Sequence, residues 1–456
     1  SSTRWGPWSD TSTFRTGAVN ADALALVQPD NGATVARGVR TLQWTDTNPS
    51  VFLYDVQIST DRGFGEKGAA APVWSNVVHG GLTTPKRSWT TPPLSGSSTY
   101  YWRVRPHVQG DGRPVVWGPA WSFTTQPRVL TPLPSGRIAF VEGGTGGTAV
   151  KVIETDGSAR RINGLPASLI NASLSPDGTR LAVVERGGKL TVTAIDGGGR
   201  PATLATDVGT LSTLGSPPVW SPDGRTLAYT YQEVSEDEES VNFGIALVAA
   251  DGSAAPTRPG WGAKALMPAF SPDSQWLAAI NVDGQEATRL LRVNLATSEV
   301  TTVLREQGLM LSPMFTPDGQ TLGFLCISDR STCLGGYAAN LDGTNRRRIA
   351  MAPFRWSPDG KRMTYATTLG VYVNDADGEG IEVNVAGNLQ ARRMSAALWS
   401  PDSSRLVFAA LYAESFADIF MVNQDGTDLR DLTDGPGVKV PFGWGAGGAA
   451  AATLAG

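Results

Sequence analysis

The sequence predicts an all-β protein in which a β-sandwich is followed by a seven-bladed β-propeller. The chain has 456 residues, and its 53 glycines and 30 prolines indicate many short elements joined by turns. From residue 175 onward, the phrase Ser/Thr-Pro-Asp occurs six times at intervals of 41 to 50 residues. A period of this length is typical of four-stranded propeller blades. Before residue 126, short segments alternate between apolar and polar residues, as the strands of a half-buried sheet do.

Composition and charge exclude several classes of function. The net charge is −4 and the pI is about 5.4, whereas a nucleic-acid-binding surface needs clustered Lys and Arg. No run of about 18 apolar residues is present, so we expect no membrane span in this chain. The first residues lack the apolar core of a signal peptide, so any export signal is expected to be absent from this chain. Both histidines, His79 and His107, precede the repeats, which excludes a histidine-dependent site within them.

Each repeat combines the same turn with similar neighbouring strands. An aromatic residue or leucine precedes the phrase, an apolar strand follows it, and an Asp-Gly turn ends a third strand in most repeats. Proline presets φ, the aspartate side chain bonds nearby amides, and glycine tolerates positive φ. Six equivalent aspartates fit six equivalent turns better than one asymmetric catalytic site. We therefore interpret as structural turn residues Asp177, Asp223, Asp273, Asp318, Asp359 and Asp402.

The number of blades depends on the two ends of the repeat region. An extra unit at residues 133–165 contains a second and a third strand but no convincing inner strand. Residues 440–444 resemble an inner strand without its turn. If this C-terminal strand completes the first blade, the propeller spans residues 128–445, has seven blades and leaves no open sheet edge. A six-bladed ring, with the first unit as a decorated linker, is the alternative. Residues 446–456 form a Gly/Ala-rich tail.

The repeats resemble the WD-like repeats of TolB-type β-propellers. The resemblance covers roughly residues 128–444 and rests on the aromatic-Ser-Pro-Asp-Gly phrase, the apolar strand after it and the strand that ends in Asp-Gly. It implies the architecture but not the function, because propellers serve in binding, in scaffolding and in several kinds of enzyme.

The upstream module, residues 21–126, resembles bacterial fibronectin type III-like domains. Its alternating segments include residues 54–59 and 100–105, and Trp121-Ser122-Phe123-Thr124 ends it. Residues 1–16 repeat the pattern of that last segment. We interpret them as the last strand of a preceding fibronectin-like copy or as an N-terminal extension. Alternatively, this strand adds to a neighbouring subunit and so mediates self-association.

The two cysteines, Cys326 and Cys333, bracket a predicted hairpin. Facing positions in a hairpin suit disulfide geometry, so we expect a disulfide between them. Two free thiols and a redox-active pair are the alternatives. A zinc site is disfavoured, because such sites use four ligands and no histidine lies nearby.

The remaining motifs give little indication of catalysis. The sequence contains neither a G-x-S-x-G elbow nor a P-loop, and the repeats lack the spacing of a sialidase Asp box. Asp375, Asp377 and Glu379 partly resemble a calcium loop, although Ala386 stands where the bidentate acid is expected. An ordinary turn is the alternative for this segment. The acidic insert at residues 233–239 predicts a solvated loop, or else a contact with a cation or basic partner.

Three classes of function follow from these observations. The first is a non-enzymatic extracytoplasmic scaffold or protein-binding component, secreted, on the cell surface or in the periplasm, within a surface or envelope assembly. The second is a carbohydrate-active or hydrolytic enzyme that uses carboxylates at the propeller mouth. The third is a small-ligand or saccharide-binding module. We predict the first, with other proteins as partners, no catalytic residues and no cofactor other than calcium at the acidic turn.

Overall fold

The computed structural model describes residues 24–38, 40–47, 51, 53–64, 73–79, 86–91, 94–107, 116–127, 129–144, 147–166, 168–198, 201–209, 217–234, 241–282, 287–327, 333–386, 389, 391–413, 416–433 and 437–446. The predicted strand at residues 1–16, most of the acidic insert and nearly all of the C-terminal tail lie outside these ranges. The chain divides into two compact units, Ser1–Arg128 and Val129–Gly456. The described residues contain 36 strands, one 3-10 turn at Gly260–Gly262 and no α-helix, so the all-β prediction is confirmed. No described helix is long and apolar enough to span a membrane.

The N-terminal unit consists of two sheets around one core. Its strands are β1 (Leu24–Gln28), β2 (Ala33–Val35), β3 (Thr41–Asp46), β4 (Leu53–Ser59), β5 (Val73–His79), β6 (Lys86–Thr90), β7 (Thr99–Pro106) and β8 (Trp121–Thr125). The sheets have the orders β1-β3-β6 and β2-β8-β7-β4-β5. Because side chains alternate along a strand, every second residue points inward. Trp44, Tyr54, Trp102 and Phe123 are thus fully buried in a core that both sheets share.

The C-terminal unit consists of a series of antiparallel sheets. Its strands are β9 (Arg137–Gly144), β10 (Gly147–Ile153), β11 (Ala159–Arg161), β12 (Leu169–Leu174), β13 (Arg180–Glu185), β14 (Leu190–Ala194), β15 (Ala202–Ala205), β16 (Val219–Trp220), β17 (Thr226–Val234), β18 (Val241–Ala249), β19 (Ala265–Phe270), β20 (Trp276–Val282), β21 (Ala287–Asn294), β22 (Val300–Gln307), β23 (Leu309–Phe315), β24 (Thr321–Ile327), β25 (Leu334–Asn340), β26 (Arg347–Ala350), β27 (Phe354–Trp356), β28 (Arg362–Thr367), β29 (Gly370–Asp375), β30 (Val383–Asn384), β31 (Arg393–Met394), β32 (Leu398–Trp399), β33 (Arg405–Ala413), β34 (Phe416–Asn423), β35 (Arg430–Asp431) and β36 (Gly437–Gly445).

Consecutive strands form consecutive sheets. Five sheets contain β12–β15, β16–β18, β19–β22, β23–β26 and β27–β30, each in sequence order. A nine-stranded sheet combines β9, β10 and β11 with β31–β35, and β36 lies between these two halves.

Apolar clusters join each sheet to the next. From β9–β11 through to β31–β35, six interfaces separate consecutive sheets, and one apolar cluster fills each of them. A seventh cluster packs Ile138 and Phe140 of β9 against Val407 of β33 and Ile419 of β34. The sheets of this unit therefore form a closed cycle of packing contacts.

Strand β36 links the two ends of the C-terminal unit. It pairs antiparallel with β9, from Val438 opposite Gly143 to Gly445 opposite Arg137. Its first residues pair in parallel with β34, where Phe416 lies opposite Gly437. The strand is longer than the segment that the aromatic spacing predicted, because its N-terminal residues follow the edge of β34.

A buried ion pair fixes β36 against β34. The Lys439 Nζ atom lies 3.0 Å from Asp418 Oδ1, and the two side chains are 1% and 4% exposed. The Thr433 hydroxyl donates to the same oxygen at 2.9 Å. A buried charge is tolerated only when it is paired and hydrogen-bonded, so this contact specifies where β36 must lie.

Glycines in the Asp-Gly turns permit close approach between neighbouring sheets. Gly343 has φ +83°, and a Cβ atom at this position would lie 2.3 Å from the Val303 carbonyl oxygen on the preceding sheet. Gly197 occupies the same kind of turn with φ +74°, but nothing lies within 4 Å of its Cβ position. Of these two glycines, Gly343 is constrained by both backbone conformation and space, and Gly197 by backbone conformation alone.

We predict that Gly343→Ala destabilises the protein more than Gly197→Ala. Both substitutions place an L side chain at positive φ, which costs roughly 1–2 kcal/mol. Gly343→Ala also forces two sheets apart, which costs about 1–3 kcal/mol more. Urea-unfolding curves of both variants measure the difference, and equal losses of stability would contradict this account of the sheet contact.

Candidate functional site

The six repeat aspartates lie in six copies of one turn. In the first copy, the Ser175 hydroxyl donates to Asp177 Oδ1 at 2.5 Å, and the Thr179 amide donates to the same oxygen at 3.0 Å. The Ser175 oxygen in turn accepts the Arg180 amide at 2.9 Å. The same three contacts recur around Asp223, Asp273, Asp318, Asp359 and Asp402. Each aspartate therefore bonds within its own turn.

Hydrogen bonds lower the pKa values of many turn aspartates. The Thr316 hydroxyl and the Gln320 amide lower the pKa of Asp318, and Thr344 acts likewise on Asp342. Partial burial opposes the shift in three others, but hydrogen bonds outweigh it and lower the pKa values of Asp177, Asp359 and Asp402. These groups remain charged, as acceptors in a turn should.

The calcium candidate residues lie in another turn. Asp375 forms an ion pair with Arg362 at 2.8 Å, and Asp377 Oδ1 accepts the Glu379 amide at 2.9 Å. Among the described residues, no three His, Cys, Asp or Glu side chains are placed to share a metal ion. The structure therefore engages the carboxylates of Asp375 and Asp377 in local contacts and does not bring the three acidic groups together as a ligand set.

Cys326 and Cys333 form a disulfide, as predicted. Their Cα atoms are 5.5 Å apart, and both side chains are fully buried between the sheets β19–β22 and β23–β26. The disulfide lies at the end of its sheet opposite the Thr-Pro-Asp turn, because β24 begins beside that turn and ends beside Cys326. We refer to this end as the disulfide end.

Exposed apolar side chains form a row at the disulfide end. Leu309, Ile327 and Leu334 are direct cross-strand partners on β23, β24 and β25. Cross-strand partners point to the same face, so the three side chains lie side by side, and 44–59% of each is exposed. Met310 and Cys326, one position away, face the buried core. We call Leu309, Ile327 and Leu334 the apolar row.

An exposed cation and an exposed thioether lie on the neighbouring strand β26 and directly after it. Met351 follows β26 and is 67% exposed. The Arg348 Nη2 atom lies 3.0 Å from Met351 Sδ, and Arg348 pairs with no carboxylate within the part of the chain that the structure describes. This part of the sheet thus offers exposed apolar area and a positive charge.

A polar cluster that the sequence did not indicate lies between β12–β15 and β16–β18. Asp207 accepts the Tyr229 hydroxyl at 3.0 Å and Arg258 Nη2 at 2.5 Å, and Arg258 also pairs with Glu233 at the base of the acidic insert. These bonds with Glu233 and Asp207 raise the pKa of Arg258, and burial raises the pKa of Tyr229. Because its charged groups pair with one another, we interpret this cluster as a structural contact that holds the sheets β12–β15 and β16–β18 together.

The histidine that the structure describes with its side chain is also engaged in a local contact. His107 Nδ1 lies 2.7 Å from Asp55 Oδ1, and Arg105 Nε donates to Asp55 Oδ2 at 2.8 Å. Trp117 packs against the guanidinium groups of both Arg103 and Arg105. These contacts form a stripe of paired groups on the N-terminal unit.

Comparison with known proteins gives structural neighbours only. No family model matches the chain, and no curated protein matches it. TolB from Acinetobacter baumannii is 17% identical, with 71% of this chain and 88% of that chain covered and a TM-score of 0.40. Oligogalacturonate lyase from Vibrio parahaemolyticus is 15% identical, with 67% and 87% covered and a TM-score of 0.43. A prolyl endopeptidase is 12% identical, with 69% and 50% covered and a TM-score of 0.49.

These neighbours are TolB-like propeller proteins at low identity. They include a lyase and a peptidase as well as TolB, so they do not decide between an enzyme and a non-catalytic protein.

We predict that stability falls steeply below about pH 4. The turn aspartates have lower pKa values in the folded chain than the roughly 3.9 of an unfolded aspartate. The unfolded state therefore binds more protons, so this stabilisation is present above pH 4 and is lost as the pH falls through the folded pKa values. Urea unfolding at pH 3, 4, 5 and 7 measures the effect.

A variant that lacks one turn donor provides the control. Thr316→Val removes the hydroxyl that bonds Asp318, so its loss of stability between pH 5 and pH 3 should be smaller than that of the unmodified protein. A free energy of unfolding that is constant from pH 5 to pH 3 would contradict the role assigned to these carboxylates.

Proposed function

We propose that this protein is a non-enzymatic scaffold that binds other proteins through the disulfide end of the sheet β23–β26. The observation that carries this proposal is the apolar row. Contiguous exposed apolar side chains are rare on soluble proteins and mark interaction surfaces. In the same sheet, Arg348 on β26 and Met351 directly after it are also exposed, and both residue types are enriched at protein interfaces.

The proposed architecture gives this surface a rigid support. We infer that residues 128–445 form a seven-bladed propeller that β36 completes, and that residues 21–126 form a fibronectin type III-like sandwich. The seven apolar clusters between successive sheets and the pairing of β36 with β9 support the blade count. Two sheets around one core support the sandwich.

The proposed location is extracytoplasmic, in a cell-surface or envelope assembly. The Cys326–Cys333 disulfide supports it, because structural disulfides form and persist in oxidising compartments. The disulfide also closes the hairpin that presents Ile327 and Leu334, so the same bond stabilises the proposed binding surface.

We predict that a double substitution in the apolar row abolishes partner capture without unfolding the protein. Ile327→Asp with Leu334→Asp places two charges where the partner's apolar side chains would pack, so a native pull-down from the source envelope fraction should lose its specific partner. Ile381→Asp with Val300→Asp is the matched control, because these apolar residues are also exposed but lie away from the row. Mass spectrometry of the captured proteins measures the outcome.

Two results would contradict the proposal. The first is a partner that both double variants retain, which would place binding elsewhere. The second is turnover of a glycan, peptide or phosphoester substrate that is lost on replacing a single carboxylate.

A further inference from the structure

A small cleft lies between the sheets β19–β22 and β23–β26, at the end opposite the disulfide. Its volume is about 210 Å³, and its walls include Trp276, Phe315 and Leu341. Two repeat turns contribute Asp273 and Asp318, and Arg292 of β21 completes the lining. The cleft therefore combines apolar walls with one cation and two carboxylates.

Arg292 has hydrogen-bond donors that no described residue uses. Its guanidinium carbon lies 4.1 Å from the centre of the Trp276 ring. Its Nε atom is buried without a hydrogen-bond partner, and Arg292 forms no ion pair among the residues that the structure describes. Buried donors in native proteins nearly always have a partner in the protein, in ordered water or in a ligand, so a guanidinium that lines a cleft with donors to spare can bond a ligand there.

The two aspartates leave acceptors free in the same cleft. Asp273 Oδ1 accepts the Ser271 hydroxyl at 2.5 Å and the Gln275 amide at 3.0 Å. Asp318 Oδ1 accepts the Thr316 hydroxyl at 2.6 Å and the Gln320 amide at 3.0 Å. These bonds use one oxygen of each carboxylate, and within the described ranges the Oδ2 atoms have no partner.

The position of Trp276 is occupied by Arg180 in an earlier repeat, and the comparison shows why this cleft is open. Arg180 lies five residues after the serine of its turn, as Trp276 does, and it packs on Trp220. Its Nη2 atom donates to the carbonyl of Gly224 in the next turn at 2.7 Å. In the repeat that forms the cleft, Trp276 stands at the position of Arg180, and Gly319 stands at the position of Gly224. The Gly319 carbonyl therefore receives no arginine hydrogen bond from β20.

We propose that this cleft binds one ring of a neutral saccharide. A sugar ring offers hydroxyl donors for the carboxylates, hydroxyl acceptors for Arg292, and apolar C–H faces for Phe315 and Leu341. One cation and two carboxylates give the cleft a net negative charge, which disfavours an anion. Its volume is below the roughly 300–1,000 Å³ of pockets for drug-sized ligands, so it takes a single ring.

The test is saturation-transfer NMR with glucose, galactose, N-acetylglucosamine and cellobiose, one at a time, on the full chain. At least one should bind saturably with a Kd on the order of 1 mM and shift the Trp276 indole N–H signal. Acetate and phosphate are the anionic probes, and neither should shift that signal.

Two variants locate the site. Arg292→Met removes the free donors but keeps an apolar stem, and it should weaken binding at least tenfold. Arg180→Met is the control, because it alters another arginine that stacks on a tryptophan but lies outside the cleft, and it should leave binding unchanged.

The proposal fails if no sugar binds saturably, if Arg292→Met binds as tightly as the unmodified protein, or if an anion alone shifts the indole signal. If Arg292→Met does not fold, the Trp276 indole signal of the unmodified protein shows whether the sugar binds in the cleft. A sugar that binds without shifting this signal lies elsewhere, and the proposal then fails.

Discussion

Closure of the C-terminal unit depends on one strand that is held by two different sheets. Strand β36 hydrogen-bonds to β9, while Lys439 from the same strand is buried against Asp418 of β34. Each sheet buries its faces against its neighbours, so the first and last sheets need each other as much as any internal pair does. Both charges are buried, so water cannot replace either one as the partner of the other. A slipped register of β36 would separate them, and the ion pair therefore favours the observed register.

The closed cycle separates the constant from the variable parts of the repeats. At one end of each sheet, the Ser/Thr-Pro-Asp turn is repeated with nearly identical hydrogen bonds, and its aspartate is committed to that turn. At the other end, and in the clefts between sheets, single substitutions change the surface without disturbing the turns. The apolar row and the Arg292 cleft are both departures of this kind, and the cleft combines such a departure with the free Oδ2 atoms of two turn aspartates, Asp273 and Asp318.

Much of the fold follows from local sequence patterns. Turn residues, alternation and the repeat period predict the strands, and the hairpin that the two cysteines bracket predicts the Cys326–Cys333 disulfide, although the residue opposite Cys326 is Gly335. The contacts between distant segments and the candidate binding surfaces are harder to predict, because they depend on the tertiary fold. Nothing in the sequence near Lys439 predicts its ion pair with Asp418, and nothing near Arg258 predicts its ion pair with Asp207. Ile327 and Leu334 carried a signal: each lies beside a paired cysteine and alternates away from the core. Arg292 became a candidate only when Trp276 was placed beneath it.

A double-mutant cycle on Lys439→Met and Asp418→Asn tests the account most directly. The free energies of unfolding of the four proteins at pH 7 give the coupling between the two residues. Each single variant removes one member of the buried ion pair and should cost about 3–5 kcal/mol, whereas the double variant should recover much of that loss. Small, additive effects of under about 1 kcal/mol each would show that the contact resembles an exposed ion pair, and would contradict the claim that closure depends on it.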